Sequence, residues 1–432
     1  MARHKKKNKG VGLMCLLTVC ATLLLCAGGY LAVSLFQGDA APSAILMEKQ
    51  NRDVVSLPPM TLKPARTPEP TPEPSPEPVR TEKPTPEPTP SPAPDVDVTL
   101  RFVGDIMCHD RQIRAAEREG SYDMSDWFST IAPSIQGADL AVGNLETTFA
   151  GAEKGYGGFP HFNTPDEYAD ALKEAGFDVL TTANNHTYDF RLGGIERTLR
   201  VLDDRGIAHA GAYAREEDYD CQLIVDVKGV KVGILAYTDT FNRKPKEEWC
   251  VRELSEKQVK KDVAAMREQG ADLIVCMVHW GSEYEEHVGS SQEKKARILA
   301  ENGVDAIFGS HPHVIQTAEM LSVETDAGIK TVPVAYSMGN FISNQQNRPC
   351  DMGVIFEITA HKSGETGETA VTGASFVPTV VYRGHSGHRD TYEVLPCGIY
   401  KEKSDHPKRH RCETVWEHEV NLMGAGFTAL AE

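Results

Sequence analysis

Gly309-Ser310-His311-Pro312-His313-Val314 places two imidazoles one residue apart, directly after the apolar run Val304-Asp305-Ala306-Ile307-Phe308. Imidazole is the commonest protein metal ligand. On extended backbone, residues i and i+2 face the same side, and Pro312 stiffens the link between the histidines. The pair therefore reads as a metal clip at the end of a buried strand, with two surface-turn histidines as the plainer alternative. Four other strand ends carry side chains of the same chemical kind: Asp105, Glu146, Asn185 with His186, and His279. A capping Asp, a turn Asn or a satisfied histidine would explain any one of these. Five together point to a divalent-cation site.

These side chains need strands to hold them at one edge. Val98–Val103, Asp139–Val142, Phe177–Thr182, Ala271–Val278 and Val304–Phe308 read as short buried strands. Helices are expected over Met124–Ile135, from Thr164 (N-cap, with Pro165 at the first helical position) to Gly176, over Gly194–Asp204, Ser255–Glu268 and Ser291–Asn302. Lys228-Gly229 between two apolar runs predicts a hairpin. After His313 the pattern turns to strands at Thr331–Ser337, Gly353–Thr359 and Ala370–Tyr382. Alternating strands and helices followed by β-rich sequence make an α/β architecture. Open α/β sheets bind ligands at the carboxyl ends of their strands.

The motifs Gly104-Asp105-Ile106-Met107, Asn144-Leu145-Glu146, Asn184-Asn185-His186, His279-Trp280-Gly281-Ser282-Glu283-Tyr284, Gly309-Ser310-His311-Pro312-His313 and Ser337-Met338-Gly339-Asn340-Phe341 resemble, in order, those of the CapA family. These are bacterial capsule proteins associated with poly-γ-glutamate synthesis. The resemblance spans about residues 96–385. It implies a fold similar to calcineurin-like metallophosphoesterases, a four-layer α/β/β/α sandwich. It further implies metal ligation by Asp105, Glu146 (shared by two cations), Asn185, His279, His311 and His313, with His186 as a catalytic acid. Glu283, Tyr284 and Asn340 become candidate pocket residues. Where the phosphoesterases carry a histidine two residues after the first Asp, this chain has Met107, a soft, weak ligand for Mn, Zn or Fe. One tight and one weak divalent site are therefore expected. His109 is a substitute ligand to weigh against a plain loop histidine.

The remaining sequence sets the location. Arg3, Lys5, Lys6, Lys7 and Lys9 precede Val11–Phe36, an uncharged run of about 26 residues. About 20 apolar residues span a bilayer core. Positive charge before the run keeps the N-terminus cytoplasmic. Residues 1–36 thus read as a cytoplasmic tail and single-pass signal anchor of the cell membrane, with the rest extracellular. A cleaved signal peptide is the competing reading. Residues 37–95, with alternating prolines from Pro68, lack the apolar side chains for a core and form a disordered, extended linker. By the same resemblance, residues 96–385 are the CapA-like, metallophosphoesterase-fold domain, and 386–432 a C-terminal extension. Cys108, Cys221, Cys250, Cys276, Cys350, Cys397 and Cys412 lie beyond the apolar run, an odd set in which Cys397 and Cys412 flank a short polar stretch and could bridge. The net charge of −17, carried despite the basic N-terminus, argues against nucleic-acid binding.

Two function classes follow. The first is a CapA-type protein for synthesis, export or anchoring of a poly-γ-glutamate-like polymer, partnered by that anionic polymer and a polymer synthase complex. The second is a wall-facing, metal-dependent phosphoesterase or other hydrolase unrelated to capsule, acting on a phosphoester substrate.

Overall fold

The structure, a computed structural model, describes residues 93–325, 328–345, 349–424 and 426–432. The basic tail, the apolar run and nearly all of the proline-rich linker lie outside the described residues. Among the described residues no helix is long and apolar enough to cross a membrane.

Among the described residues seventeen strands follow one another: β1 (Val96–Ile106), β2 (Glu117–Arg118), β3 (Ser121–Tyr122), β4 (Leu140–Leu145), β5 (Val179–Thr181), β6 (Ala208–Ala210), β7 (Leu223–Val227), β8 (Val230–Thr238), β9 (Leu273–His279), β10 (Ala306–Ser310), β11 (Ala318–Thr325), β12 (Gly328–Ala335), β13 (Asn340–Ile342), β14 (Met352–Lys362), β15 (Thr369–Ser386), β16 (Arg389–Pro396) and β17 (Thr428–Ala429). One sheet runs β16-β15-β14-β1-β4-β5-β6, with β13 on β1 and β17 on β15; a second runs β11-β12-β10-β9-β8-β7. β1, β4, β5 and β6 are parallel, as are β8, β9, β10 and β12. Leu273-Ile274-Val275-Cys276-Met277-Val278 is buried at every position, as expected for a parallel strand covered on both faces.

Three apolar layers give the stacking order. Val98, Leu100 and Phe102 of β1 meet Val275 and Met277 of β9 and Phe308 of β10 between the sheets. Phe102 and Phe308 stack with ring centres 3.8 Å apart. The first sheet's outer face packs Val103, Ile106 and Ala141 against Tyr168 and Leu172 of the Glu167–Ala175 helix. The second sheet's outer face packs Ile274 and Cys276 against Val259, Val263 and Leu299 of the Glu256–Glu268 and Ser290–Glu301 helices. The result is helices, sheet, sheet, helices. Residues 386–432 supply β16, β17 and the Arg409–Met423 helix, whose Cys412, Val415 and Met423 join the layer between the sheets.

Several local expectations shift for identifiable reasons. The helix expected over Met124–Ile135 is a 3-10 turn at Ser125–Trp127 and a separate helix at Ala132–Gln136. Pro133 lacks an N–H and clashes with the preceding turn, so helix begins anew around it. Thr164 does not cap the next helix. Its hydroxyl lies 2.6 Å from Thr147 Oγ1, and the helix starts at Glu167. A helix at Asp110–Ala116 was not anticipated. The hairpin forms as expected, with Lys228 and Gly229 both left-handed (φ 53° and 87°). Cys397 and Cys412 are buried free thiols, not a disulfide.

Candidate metal centre

β1, β4 and β5 of one sheet and β9 and β10 of the other end on the same edge. Asp105 is the penultimate residue of β1, Glu146 follows β4, and His279 ends β9. Register carries them together: Asp105 sits opposite Asn144 across β1 and β4, and His279 opposite Ser310 across β9 and β10. Two glycines let the backbone close up beneath them. A Cβ on Gly104 would lie 2.0 Å from the Gly339 carbonyl oxygen, and one on Gly309 2.0 Å from that of Tyr336.

His311 and His313 are not an extended pair. Their φ angles are 99° and 59°, left-handed values that cost of order 1–3 kcal/mol each for side chains other than Gly. Trp280 N–H donating to the Ser310 carbonyl and Asn340 Nδ2 donating to the His313 carbonyl help fix this turn. The two imidazoles consequently enter different groups of donors. Glu146, His279 and His311 have ligand atoms all within 4.8 Å of one another, and so do Asp105, Glu146 and His313. Glu146 belongs to both.

The first group is a convergence of acceptors. With His279 Nδ1 donating to Ser310 Oγ at 3.0 Å, its Nε2 faces Asn185 Oδ1 at 3.1 Å and Glu146 Oε1 at 3.8 Å. His311 Nδ1 and both Glu146 carboxylate oxygens are buried without a hydrogen-bond partner. Orphaned buried acceptors are costly, and a cation is the partner that suits a carboxylate, an amide oxygen and neutral imidazoles together. Burial, reinforced by neighbouring histidines, holds His279 well below the usual imidazole range and His311 at about 4. Both are therefore neutral at pH 7, the form that ligates. Burial, then the Asp105 charge, pushes the Glu146 carboxyl well up.

The second group differs in Asp105. Its Oδ1 accepts from Asn144 Nδ2 at 2.8 Å, and its Oδ2 lies 3.0 Å from His313 Nδ1. Burial pushes this carboxyl up, but His313, Glu146 and Asn144 outweigh burial and hold it below the ordinary range. Both oxygens already have partners, so Asp105 is placed as much to orient His313, whose Nε2 faces Glu146 Oε1 at 3.8 Å, as to ligate. Met107 is buried and offers its backbone carbonyl to Tyr168 Oη. His109 belongs to neither group. Its Nδ1 accepts from the Asn344 N–H, and its ring meets Phe162 edge-on.

His186 is buried beside Asn185, with Nδ1 2.8 Å from Asp189 Oδ2. Asn242 Nδ2 lies 3.3 Å from its Nε2, and Asn242 Oδ1 3.4 Å from Asn185 Nδ2. Tyr284 is exposed, with its ring 5.9 Å from that of His313. Glu283 is exposed too. Asn340 is buried as a clamp, its Nδ2 reaching the His313 and Cys350 carbonyls.

Sequence reasoning missed Asn144, Asp189, Ser310 and Asn242. Asn144 and Ser310 lie inside motifs already singled out, but their partners depend on strand register. Asp189, three residues after His186, carries the spacing of one turn. Asn242 carries no signal, because its loop is 56 residues away.

A family model described as bacterial capsule synthesis protein PGA_cap matches residues 99–345. The chain is 30% identical over 263 residues to "Capsule biosynthesis protein CapA" of Bacillus anthracis, covering 57% of this chain and 60% of that one. It is 28% identical over 251 residues to "PGA biosynthesis protein CapA" of Bacillus subtilis (strain 168), covering 56% and 63%. The chain thus matches a little under two thirds of the length of these relatives. The solved calcineurin-like phosphoesterase YfkN from Bacillus subtilis aligns with 66% of this chain and 91% of its own, at 15% identity and a TM-score of 0.41. With the family match covering more than half its length, the chain belongs to the bacterial capsule synthesis (PGA_cap, CapA-type) family.

Proposed function

We propose that this chain is a membrane-anchored, extracellular CapA-type protein that acts on a capsule polymer during its synthesis, export or anchoring, through a divalent-cation hydrolytic centre. The observation that carries the reading is Glu146, buried, shared by two donor groups, with neither oxygen partnered. Glu146, His279, His311 and Asn185 would hold one cation tightly. Asp105, Glu146 and His313 would hold a second more weakly, because Asp105 is already committed to Asn144 and His313. Mn, Zn and Fe suit this oxygen and nitrogen set.

Cations bound there supply Lewis-acid polarisation of a phosphoryl or acyl oxygen and an activated water. The chain's own residues do the rest. Asp189 orients the His186 ring, and Asn242 spans His186 and Asn185, which ties the imidazole to the ligand residue. His186 delivers a proton to the leaving group. The acyl and phosphoryl alternatives share this arrangement. The names of the relatives favour a capsule polymer as the natural target. The basic N-terminal cluster and Val11–Phe36 support an anchor in the cell membrane. One relative, from Mycobacterium tuberculosis, carries the name of a probable polyglutamine synthesis accessory protein, which favours a non-catalytic assembly role as the second reading.

The test compares His186→Ala with His279→Ala in the full-length chain. Metal content, phosphoester turnover with Mn, Zn or Fe, and restoration of surface polymer in a deletion strain are all measured. His279→Ala should lose metal. His186→Ala should keep metal yet lose about 10²–10⁴-fold in turnover. Absence of turnover with every metal, together with full polymer restoration by His186→Ala, would sink the hydrolase and leave the assembly role.

A further inference from the structure

Beside His186 lies a cavity of about 200 Å³, lined by Phe159, Pro160, His161, Tyr188, Asp189, Asn242 and Arg243. Two of these residues also belong to the centre just described: Asp189 holds His186, and Asn242 touches both His186 and Asn185. The cavity therefore adjoins the His186 side of the site, with Asp189 and Asn242 as the shared wall.

Its walls are held from behind. Asn163 is buried, and its amide ties the Gly151 and Gly155 carbonyls while its Oδ1 accepts from the Ala150 N–H. Gly158 N–H donates to Asp110 Oδ1, and Phe162 N–H to Asp189 Oδ2. The Phe162 ring is wedged between those of His109 and His186. Between these anchors the chain presents Phe159, 71% exposed, with His161. The opposite wall is fixed by Asn242 and by Tyr188 Oη donating to Glu247. It presents Arg243, which is exposed and forms no ion pair among the described residues. Nearby Lys244, by contrast, is paired with Glu253.

An unpaired guanidinium is notable in a chain of net charge −17. The single acid lining the cavity, Asp189, already accepts from the Phe162 N–H and pairs with His186. Its charge is spent on the chain itself. What remains for a ligand is a guanidinium with its planar fork of donors, an imidazole, and an exposed aromatic face. That combination recognises an anionic oxygen pair attached to a short apolar or planar segment. Resting on the hydrolytic reading above, we infer that this cavity is a substrate subsite: it takes the anionic group next along the chain from the one at the metal centre. The substrate class is then an oligoanion with closely spaced acidic groups. A small mono-anionic ester would leave the subsite empty. The same device explains how an acidic protein draws in a polyanion, through local charge at the cleft against a repulsive overall field.

The experiment is calorimetric titration of the metal-loaded, full-length chain with two probes, tripolyphosphate and a hexaglutamate peptide. They present phosphate and carboxylate oxygens respectively. Each is titrated into the unmodified chain, Arg243→Glu, Phe159→Ala, and Lys257→Glu as an equal change of charge on a helix surface elsewhere. Binding of at least one probe should weaken about tenfold or more in Arg243→Glu, the scale of one lost charge-assisted hydrogen bond. Phe159→Ala should weaken it several-fold, and Lys257→Glu less than twofold. The probe that responds identifies phosphate or carboxylate as the recognised group. If neither probe binds the unmodified chain, or if Arg243→Glu and Lys257→Glu agree within twofold for both, the subsite is overturned. Turnover is not read, so loss of the hydrolase alone would leave an Arg243-dependent result standing. Loss of the subsite alone would leave metal-dependent turnover intact.

Discussion

Glu146→Gln separates a ligand from a structural acid by the signs of two effects. In the metal-free chain, Glu146 is fully buried with neither oxygen partnered, and burial beside Asp105 raises its carboxyl well above the ordinary range. Replacing it by an amide of nearly equal shape removes the ionisable group and opens no cavity. The metal-free chain should therefore keep its melting temperature or gain slightly. The loaded chain should behave oppositely. Metal at about one hundred times its dissociation constant adds about 2.7 kcal/mol of stability. For the 334 described residues, an unfolding entropy of about 2.1 cal/mol/K per residue converts that into a rise of roughly 4 °C. Glu146→Gln takes the shared carboxylate from both donor groups, so the rise should fall below about 1 °C. The assay is calorimetric melting with and without Mn or Zn, at matched free metal. If the variant loses several degrees without metal yet keeps the metal-dependent rise, Glu146 is a structural acid and the centre has been assigned wrongly.

Two further outcomes test the frame around the site. Glu419, fully buried in the Arg409–Met423 helix, has both oxygens unpartnered; burial raises its carboxyl well above the ordinary range, and Arg411 offsets this only in part. A raised folded value means the wild type binds its proton more tightly folded than unfolded, so its stability falls as pH rises above the unfolded value of about 4.3. Glu419→Gln should be nearly neutral at pH 4 and stabilising by about 1 kcal/mol or more at pH 8, by denaturant unfolding; an equal effect at both values would refute the assignment. Gly309→Ala should cost about 3 kcal/mol or prevent folding, because its Cβ meets the Tyr336 carbonyl at 2.0 Å and Trp280 Nε1 at 2.6 Å. A cost under about 1 kcal/mol in the same assay would mean the strands do not approach so closely.

The parts of this molecule legible in its sequence are those fixed by local pattern. Short, mostly apolar runs found the buried parallel strands, because a strand covered on both faces admits few polar side chains. The polar residues one to four positions past each run then marked the common edge. Helix starts were less legible. Thr164-Pro165 had the right residue types for a helix start, but a tertiary hydrogen bond to Thr147 claimed the Thr164 hydroxyl. Pro133, set within an apolar pattern, outweighs that pattern and starts a new helix.

The site shows the same division more sharply. Residue types picked out the side chains that the fold gathers at one edge, but the division between them lies in register and backbone angle. His311 and His313 looked like one clip because extended backbone would aim both the same way. The left-handed angles at each send them into separate donor groups. Asp105 and Glu146 are both buried carboxylates at neighbouring strand ends, and nothing local distinguishes them. The distinction comes from Asn144, which the β1–β4 register sets opposite Asp105, and from His313, which arrives from the other sheet. Those two donors satisfy Asp105 and leave Glu146 bare. The more available carboxylate is thus the one that the rest of the chain leaves without a partner. That makes Glu146, and not the histidine pair, the residue around which the two donor groups are built.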